Sequence, residues 1–571
     1  MNPSNIWALI NENKITVALL VLSTIILDPL SLVTHFYNSF DFYYFSEDAR
    51  PLISPYLKNW DKTLSDSDYL SEYFISSILP KAYTLLMEFV SNIIDPRIFS
   101  KFLSLFLYLI TGILFILSAL KLGGWYAAWG SALLFFSTNA IFVYLEGGFP
   151  RSFAGPILAL TTLGLISGRP AYLATATLIG SLFYYISAAF AGLSLFTYLI
   201  LFPSSWHGAS AQWSFKKRVI VVGVIGTIST ALIASSIFGA VNSAPMVGPN
   251  DFEAFPEAGP GGRHIPEIYS VFQSTVKWSL AVFLWSEPLS KAVFDFLITN
   301  FWVIFVLCYS ILVTGLVLLS KQNRIRRLII LPVLSILLFQ AAILATPYLY
   351  IPSRYMAYTM PIVFALLFPV CFLETLRLIG SKYLNAKSLR LFMVGGCLAL
   401  VAAMGGRSEE SGLMHVPAAE RPIYDFVSSL PTDVLIAGWP KGILDNIPYL
   451  TGRKAFLTYE THSAFHADYI LEMRRRMKLI INAYHAENAE PLMKLRKQYG
   501  VTHFVIDETF FENGLPKYFK PFNEIAEEFA ARAKGTPYLR QVIKSSAVYR
   551  LQNIVIIDLR ALKETSNNQS G

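Results

Sequence analysis

The chain carries apolar runs of bilayer-crossing length that begin near Ile15, Ile98, Trp125, Phe153, Ala171, Val219, Asn300, Leu328, Met360 and Leu391. About 17–25 mostly apolar residues make a helix long enough to span the hydrocarbon core. In lipid every backbone N–H and C=O must be satisfied within the protein, so such runs dictate a bundle of membrane helices. The run from Ala171 to Phe202 is too long for one helix and too short for two full ones. Its centre, Phe183 to Ser187, can turn back, which predicts two short helices and about eleven crossings in all. Composition agrees: 54% of the 571 residues are hydrophobic, 15% are charged and the mean hydropathy is +0.49. An ordinary soluble domain is roughly 25% charged.

The net charge of +8 is not a nucleic-acid signature, because the basic residues fall in short clusters between apolar runs. Lys121, Arg169, Lys216 to Arg218, Lys321 with Arg324, Arg326 and Arg327, and Arg377 through Arg390 all lie on one side under an eleven-crossing count. The excess of Lys and Arg marks that side as cytoplasmic and places the N-terminus there. The opposite side receives residues 35–97, 145–152, 241–298, the stretch around Tyr348–Tyr358, and the C-terminal part from about residue 407. Had residues 171–202 formed one tilted helix, every later segment would flip and the basic clusters would land outside. The first run follows Asn13 and Lys14 and lacks a small-residue cleavage site, so it reads as a retained helix. Cys308, Cys371 and Cys397 sit inside apolar runs without metal spacing.

Two domains are expected: a membrane domain over 1–406 and a soluble α/β domain over 407–571. The tail has β-rich apolar runs at Val434–Ala437, Ala455–Leu457, His503–Ile506 and Ile554–Ile557. Helical patterns at Tyr469–Tyr484 and Ala489–Tyr499 lie between them, which predicts a small sheet with parallel pairs. Gly500 is the expected C-cap of the second helix.

Four places could carry chemistry. The first outside loop crowds aromatic residues around Asp41, Glu47 and Asp48, with Asp61, Asp66, Asp68 and Glu72 beyond. A carboxylate at the water–lipid boundary can act as a general base on an acceptor hydroxyl or amide, or hold a divalent ion. After these acids an amphipathic stretch, Tyr73 to Ile94, is expected along the membrane surface. The second place is the hairpin Glu146 to Ser152, whose Gly147 and Gly148 permit close backbone approach. Its Arg151 can snorkel or clamp an anionic head group. The third is Arg354, an outside arginine at a helix start, placed against both the positive-inside trend and the helix dipole, which suggests a bound anion or an acidic partner. The fourth is the loop 241–298. Its first half is rich in Pro and Gly, as in a lid or an ordinary flexible loop, and ends at Arg263 and His264. Its later part, Trp278 to Phe296, reads as interfacial or re-entrant. In the tail, His462 and His466 are four apart with Asp468 near, but they lack the glutamate of a His-Glu-x-x-His zinc site and read better as surface or capping residues. A P-loop is absent, which argues against ATP as a direct substrate.

With these residues the layout resembles the GT-C superfamily of membrane glycosyltransferases that use polyprenyl-phosphate-linked sugars. Glu47-Asp48 is similar to the family's catalytic acidic pair, though in Glu-Asp order, and Asp41 is an alternative acid. Ser353-Arg354-Tyr355 before Met360-Pro361 resembles an arginine–tyrosine element that contacts the donor phosphate. The hairpin from Gly148 to Arg151 and Ser152 looks like that of uncharacterised bacterial members, and the Trp-Trp-Asp motif of oligosaccharyltransferases is missing. The resemblance implies an inverting transfer with Asp48, Glu47 or Asp41 as base and Arg354, Tyr355, Arg151 and Arg263 on the phosphate. It further implies a bacterial inner membrane, a possible Mg or Mn ion, and a glycan, lipid or protein acceptor. The competing expectations are a polysaccharide polymerase or ligase of another fold, and a catalytically inactive scaffold. A transporter fits less well, since mid-span charges are few and no inverted repeat is evident.

Overall fold

The computed structural model describes residues 37–64, 68–202, 210–237, 245–264, 270–284, 299–346, 348–349, 351–383 and 413–562. The expected spans near Ile15 and Leu391 lie outside them, as do Asp66 and Cys397. Among the described residues four helices are long and apolar enough to cross a membrane: Pro96–Phe136, Phe215–Ser235, Asn323–Leu344 and Arg354–Leu378. Pro170–Phe183, Tyr185–Leu201 and Phe305–Leu319 are apolar but shorter. Four clear spans fall short of the expected count of about eleven, although a helix stands at each expected run that is described.

Local chemistry sets the boundaries. Asp95 caps the helix Pro96–Ser137 by accepting from Arg97 N at 2.9 Å, with Pro96 in the first turn. That helix breaks at Gly124, which separates the runs expected at Ile98 and Trp125. The long run at 171–202 also breaks where expected: Pro170–Phe183 and Tyr185–Phe196 are hinged at Tyr184, whose φ of −156° and ψ of 102° are extended. The two halves pack against each other.

The helices run alternately, so their ends gather into two layers. At one end Arg324 donates to Lys121 O, Arg327 to Ile166 O at 2.8 Å, and Tyr198 to Gly168 O at 3.0 Å. These are the basic turns. At the other end the first loop, the hairpin after Leu145 and the start of Arg354–Ala357 meet under the C-terminal region.

That region holds a five-stranded sheet of order β4-β3-β5-β7-β6. The strands are β3 Leu435–Gly438, β4 Lys454–Ala455, β5 His503–Asp507, β6 Ala547–Leu551 and β7 Ile554–Asp558. β3 pairs in parallel with β4 and β5, as expected, while β5-β7-β6 is antiparallel. Phe504, Ile506, Val555 and Ile557 face Met473, Met477 and Ile480 of the helix Ala467–His485. Val505, Ile554 and Ile556 belong to the opposite core, with Val427 of Arg421–Ser429. Burial on both faces explains why β5 and β7 read as continuous apolar runs. Gly500 ends Glu490–Tyr499 at φ 72°, as expected of a left-handed cap. A second, two-stranded sheet joins the first loop to the start of the C-terminal region: β1 Tyr44–Phe45 pairs with β2 Met414–His415.

Two expectations change. The stretch Tyr73 to Ile94 is not one surface helix. Tyr73 stacks on Tyr469 at 3.5 Å, its hydroxyl meets His466 Nδ1 at 2.8 Å, and the chain turns at Leu79 and Pro80. Only Lys81–Ser91 and the residues after it keep a free apolar face, at Leu85, Phe89, Ile93 and Ile94. In the expected lid, residues 245–264 are clasped to the C-terminal region. Val247 N donates to Phe465 O at 2.9 Å, and Arg474 holds the buried Glu257 at 2.6 Å. The helix Val271–Leu284 buries Trp278 and Leu280, and residues 285–298 lie outside the description.

Candidate active site

Asp48 stands at the N-terminus of the short helix Ala49–Ile53, and its side chain makes no capping bond there. It instead forms an ion pair with Arg151 from the hairpin. Asp48 remains 30% exposed and Arg151 17%, so the pair lies at the edge of the protein interior. Burial pushes the Asp48 carboxyl up, but the guanidiniums of Arg151, Arg354, Arg263 and Arg50 outweigh it and hold the group below the usual aspartate range.

The hairpin reaches this point because of its glycines. Gly147 and Gly148 have φ of 89° and 64°, and a Cβ on Gly148 would come within 2.1 Å of Ser100 O. Tyr83 donates to Gly148 O at 3.2 Å. Glu146, just before them, is fully buried and neither carboxylate oxygen finds a well-formed hydrogen bond. Burial raises it to about 8, against the pull of Arg151, Ser46 and Lys101.

Tyrosines surround Arg354. Its Nη1 is 3.5 Å from the Tyr184 hydroxyl, Tyr184 and Tyr358 lie 5.8 Å apart, and Tyr144 meets Tyr358 edge to face at 4.6 Å. On the C-terminal side Arg263 pairs with Glu460 at 2.9 Å and lies 4.0 Å over the Tyr459 ring. Arg50 forms a buried ion pair with Asp445.

The structure thus gathers Asp48, Arg151, Arg354 and Arg263 into one electrostatic neighbourhood. The other sequence candidates stand apart from it. Glu47 is exposed. Asp41 accepts from Tyr43 N at 2.8 Å and lies 3.8 Å from Arg421. Tyr355 turns its hydroxyl to Leu349 O at 2.8 Å. Tyr184, Tyr358, Asp445 and Glu460 were not singled out, since each acquires its neighbours only through long-range packing. Among the described residues no three His, Cys, Asp or Glu side chains are placed to hold a metal. His462 and His466 bond separately, to Tyr518 at 3.1 Å and to Tyr73.

The helical bundle with a sheet-containing region over one end is a fold shared with solved structures. No family model and no curated protein matches the sequence. Solved structures match in fold. ArnT from Cupriavidus metallidurans bound to undecaprenyl phosphate superposes with a TM-score of 0.51 at 14% identity, over 95% of this chain and 98% of ArnT. The apo state of ArnT gives 0.50 at 13% identity, over 95% and 97%. The apo oligosaccharyltransferase of Archaeoglobus fulgidus is a looser likeness, with a TM-score of 0.48 at 12% identity over 87% of this chain and 70% of its own.

Proposed function

We propose that the chain is a membrane glycosyltransferase that moves a sugar from a polyprenyl-phosphate-linked donor to an extracytoplasmic glycan, lipid or protein acceptor. The observation that carries this reading is the ion pair of one carboxylate, Asp48, with Arg151, with Arg354 and Arg263 near enough to add to its field, at one end of the bundle. Such a site pairs a base with charges suited to a phosphate leaving group. That ArnT has been captured with undecaprenyl phosphate supports the donor class. Eleven crossings, a cytoplasmic N-terminus, a membrane domain over 1–406 and an extracytoplasmic domain over 407–571 in the plasma membrane complete the proposal.

In this mechanism the donor phosphate enters between Arg354 and Arg151 and takes Arg151 from Asp48. The freed carboxylate accepts the proton of the acceptor hydroxyl. The acceptor oxygen attacks the anomeric carbon from the face opposite the phosphate. The bond from that carbon to the phosphate oxygen breaks, and the electron pair leaves with polyprenyl phosphate. No step passes through a metal. A chelator added to the assay tests the expectation of Mg or Mn directly.

The test is turnover of purified protein with a panel of polyprenyl-phosphate sugars, comparing wild type with Asp48→Asn and Arg354→Ala. Transfer or donor hydrolysis should collapse in Asp48→Asn with donor binding kept, while Arg354→Ala loses donor binding. A well-folded wild type that binds no donor refutes the proposal and favours an inactive scaffold, since a fold does not establish an activity.

A further inference from the structure

We infer that Asp445 is a positioning residue for the transfer reaction, fixing through Arg50 the short helix from whose start Asp48 projects. The inference rests on the glycosyltransferase reading, in which Asp48 is the base. Ala49–Ile53 has five residues, with Pro51 among them. Helices shorter than about 12–15 residues do not hold themselves in water, so tertiary contacts must aim this one. Ala49 and Ile53 are buried, which seats the helix, but apolar contacts are not directional. Besides the Asp48–Arg151 pair and the β1–β2 pairing before it, the directional contact within the helix is Arg50, whose Nη1 forms the ion pair with Asp445.

Asp445 is only 2% exposed and belongs to Ile443–Thr451 of the C-terminal region, 395 residues from Arg50. Its second oxygen accepts from Glu460 N at 3.2 Å, and Glu460 pairs with Arg263. Two neighbouring carboxylates of the C-terminal region thereby grip the first loop and the segment 245–264, both of which bring charge to Asp48. A buried ion pair is weak evidence of stabilisation, because apolar residues of like volume often do as well. The same seam is already joined by the Tyr73–Tyr469 stack and the Tyr73–His466 bond. What Asp445 adds is direction, applied two residues from the base.

The experiment compares full-length Asp445→Asn, Asp445→Glu and Tyr73→Phe in lipid nanodiscs, after checking that each is monodisperse. Three quantities are read: undecaprenyl phosphate binding, kcat and KM with the donor that wild type turns over, and amide exchange over residues 41–57. Misplacement of a reacting group by about 1 Å costs roughly a hundredfold. Asp445→Asn should therefore lose kcat on that order, keep binding and KM within about threefold, and exchange faster over 41–57. Asp445→Glu should keep most of kcat, and Tyr73→Phe should change neither kcat nor that exchange. A monodisperse Asp445→Asn with wild-type kcat overturns the inference. So does a joint loss of kcat and binding in Asp445→Asn and Tyr73→Phe as Tm falls, which would make Asp445 a stability residue only. If wild type transfers no sugar, the glycosyltransferase reading fails, and the exchange comparison still decides whether Asp445 holds the helix.

Discussion

Replacing Glu146 by glutamine keeps the shape of the side chain and removes its ability to ionise. The carboxyl is fully buried, its oxygens lack well-formed hydrogen bonds, and burial lifts it from the ordinary 4.5 to about 8. In the unfolded chain the group ionises near its ordinary value. Between the two values the unfolded state therefore binds fewer protons, and the folded state loses stability as pH rises. Each pH unit well inside that window is worth about 1.4 kcal/mol. From pH 5 to pH 7 the loss is roughly 2–3 kcal/mol. Above the folded value the loss levels off. The assay is thermal unfolding of detergent-purified wild type and Glu146→Gln at matched ionic strength from pH 5 to pH 8. The Tm of Glu146→Gln should gain on wild type steadily across that range. Parallel profiles for the two proteins would refute the reasoning and mean that Glu146 is charged and paired in the folded protein.

Two further outcomes follow from the same neighbourhood. Asp48 is held below the usual aspartate range, so its stabilising ion pair is present at neutral pH and is lost only as pH falls through that depressed value. Between pH 7 and pH 5 activity should show no acid loss from Asp48, whereas Arg151→Met removes the largest of the opposing charges and moves the acid limb up, as a pH–rate profile would reveal. Gly148→Ala forces a positive φ on a residue with a Cβ and drives that atom into Ser100 O. It should cost about 1–3 kcal/mol from backbone strain alone, with more from the clash, read as a fall in Tm and in monodisperse yield.

The helices and the hinge at Tyr184 were legible because the bilayer imposes a length, and a run that misses that length must break. β3, β5 and β7 were legible as apolar runs, but β6 was not. Its Ala547 to Leu551 is a largely exposed edge, and Arg550 interrupts its short apolar run. Asp48, Arg151, Arg354 and Arg263 each stood out in a separate loop, yet nothing local distinguished Asp48 from Glu47 or Asp41. The proposed choice of Asp48 rests on which acid the hairpin arginine reaches. Tyr73 misled because an amphipathic pattern does not say whether its apolar face meets lipid or protein. Asp445 and Glu460 carry no motif. Their partners, Arg50 and Arg263, lie 395 and 197 residues away.

The pairing of Arg50 with Asp445, and of β1 with β2, also sets a timetable. Ribosomes add about 5–20 residues per second, so the first loop waits roughly 20–80 s for its 395-residue-distant partner to be made. Throughout that interval Asp48 has emerged without the Arg50–Asp445 pair behind its helix. On the proposed mechanism the nascent protein transfers no sugar until residue 445 of 571 has been made, and a chain cut short before Asp445 should be inactive.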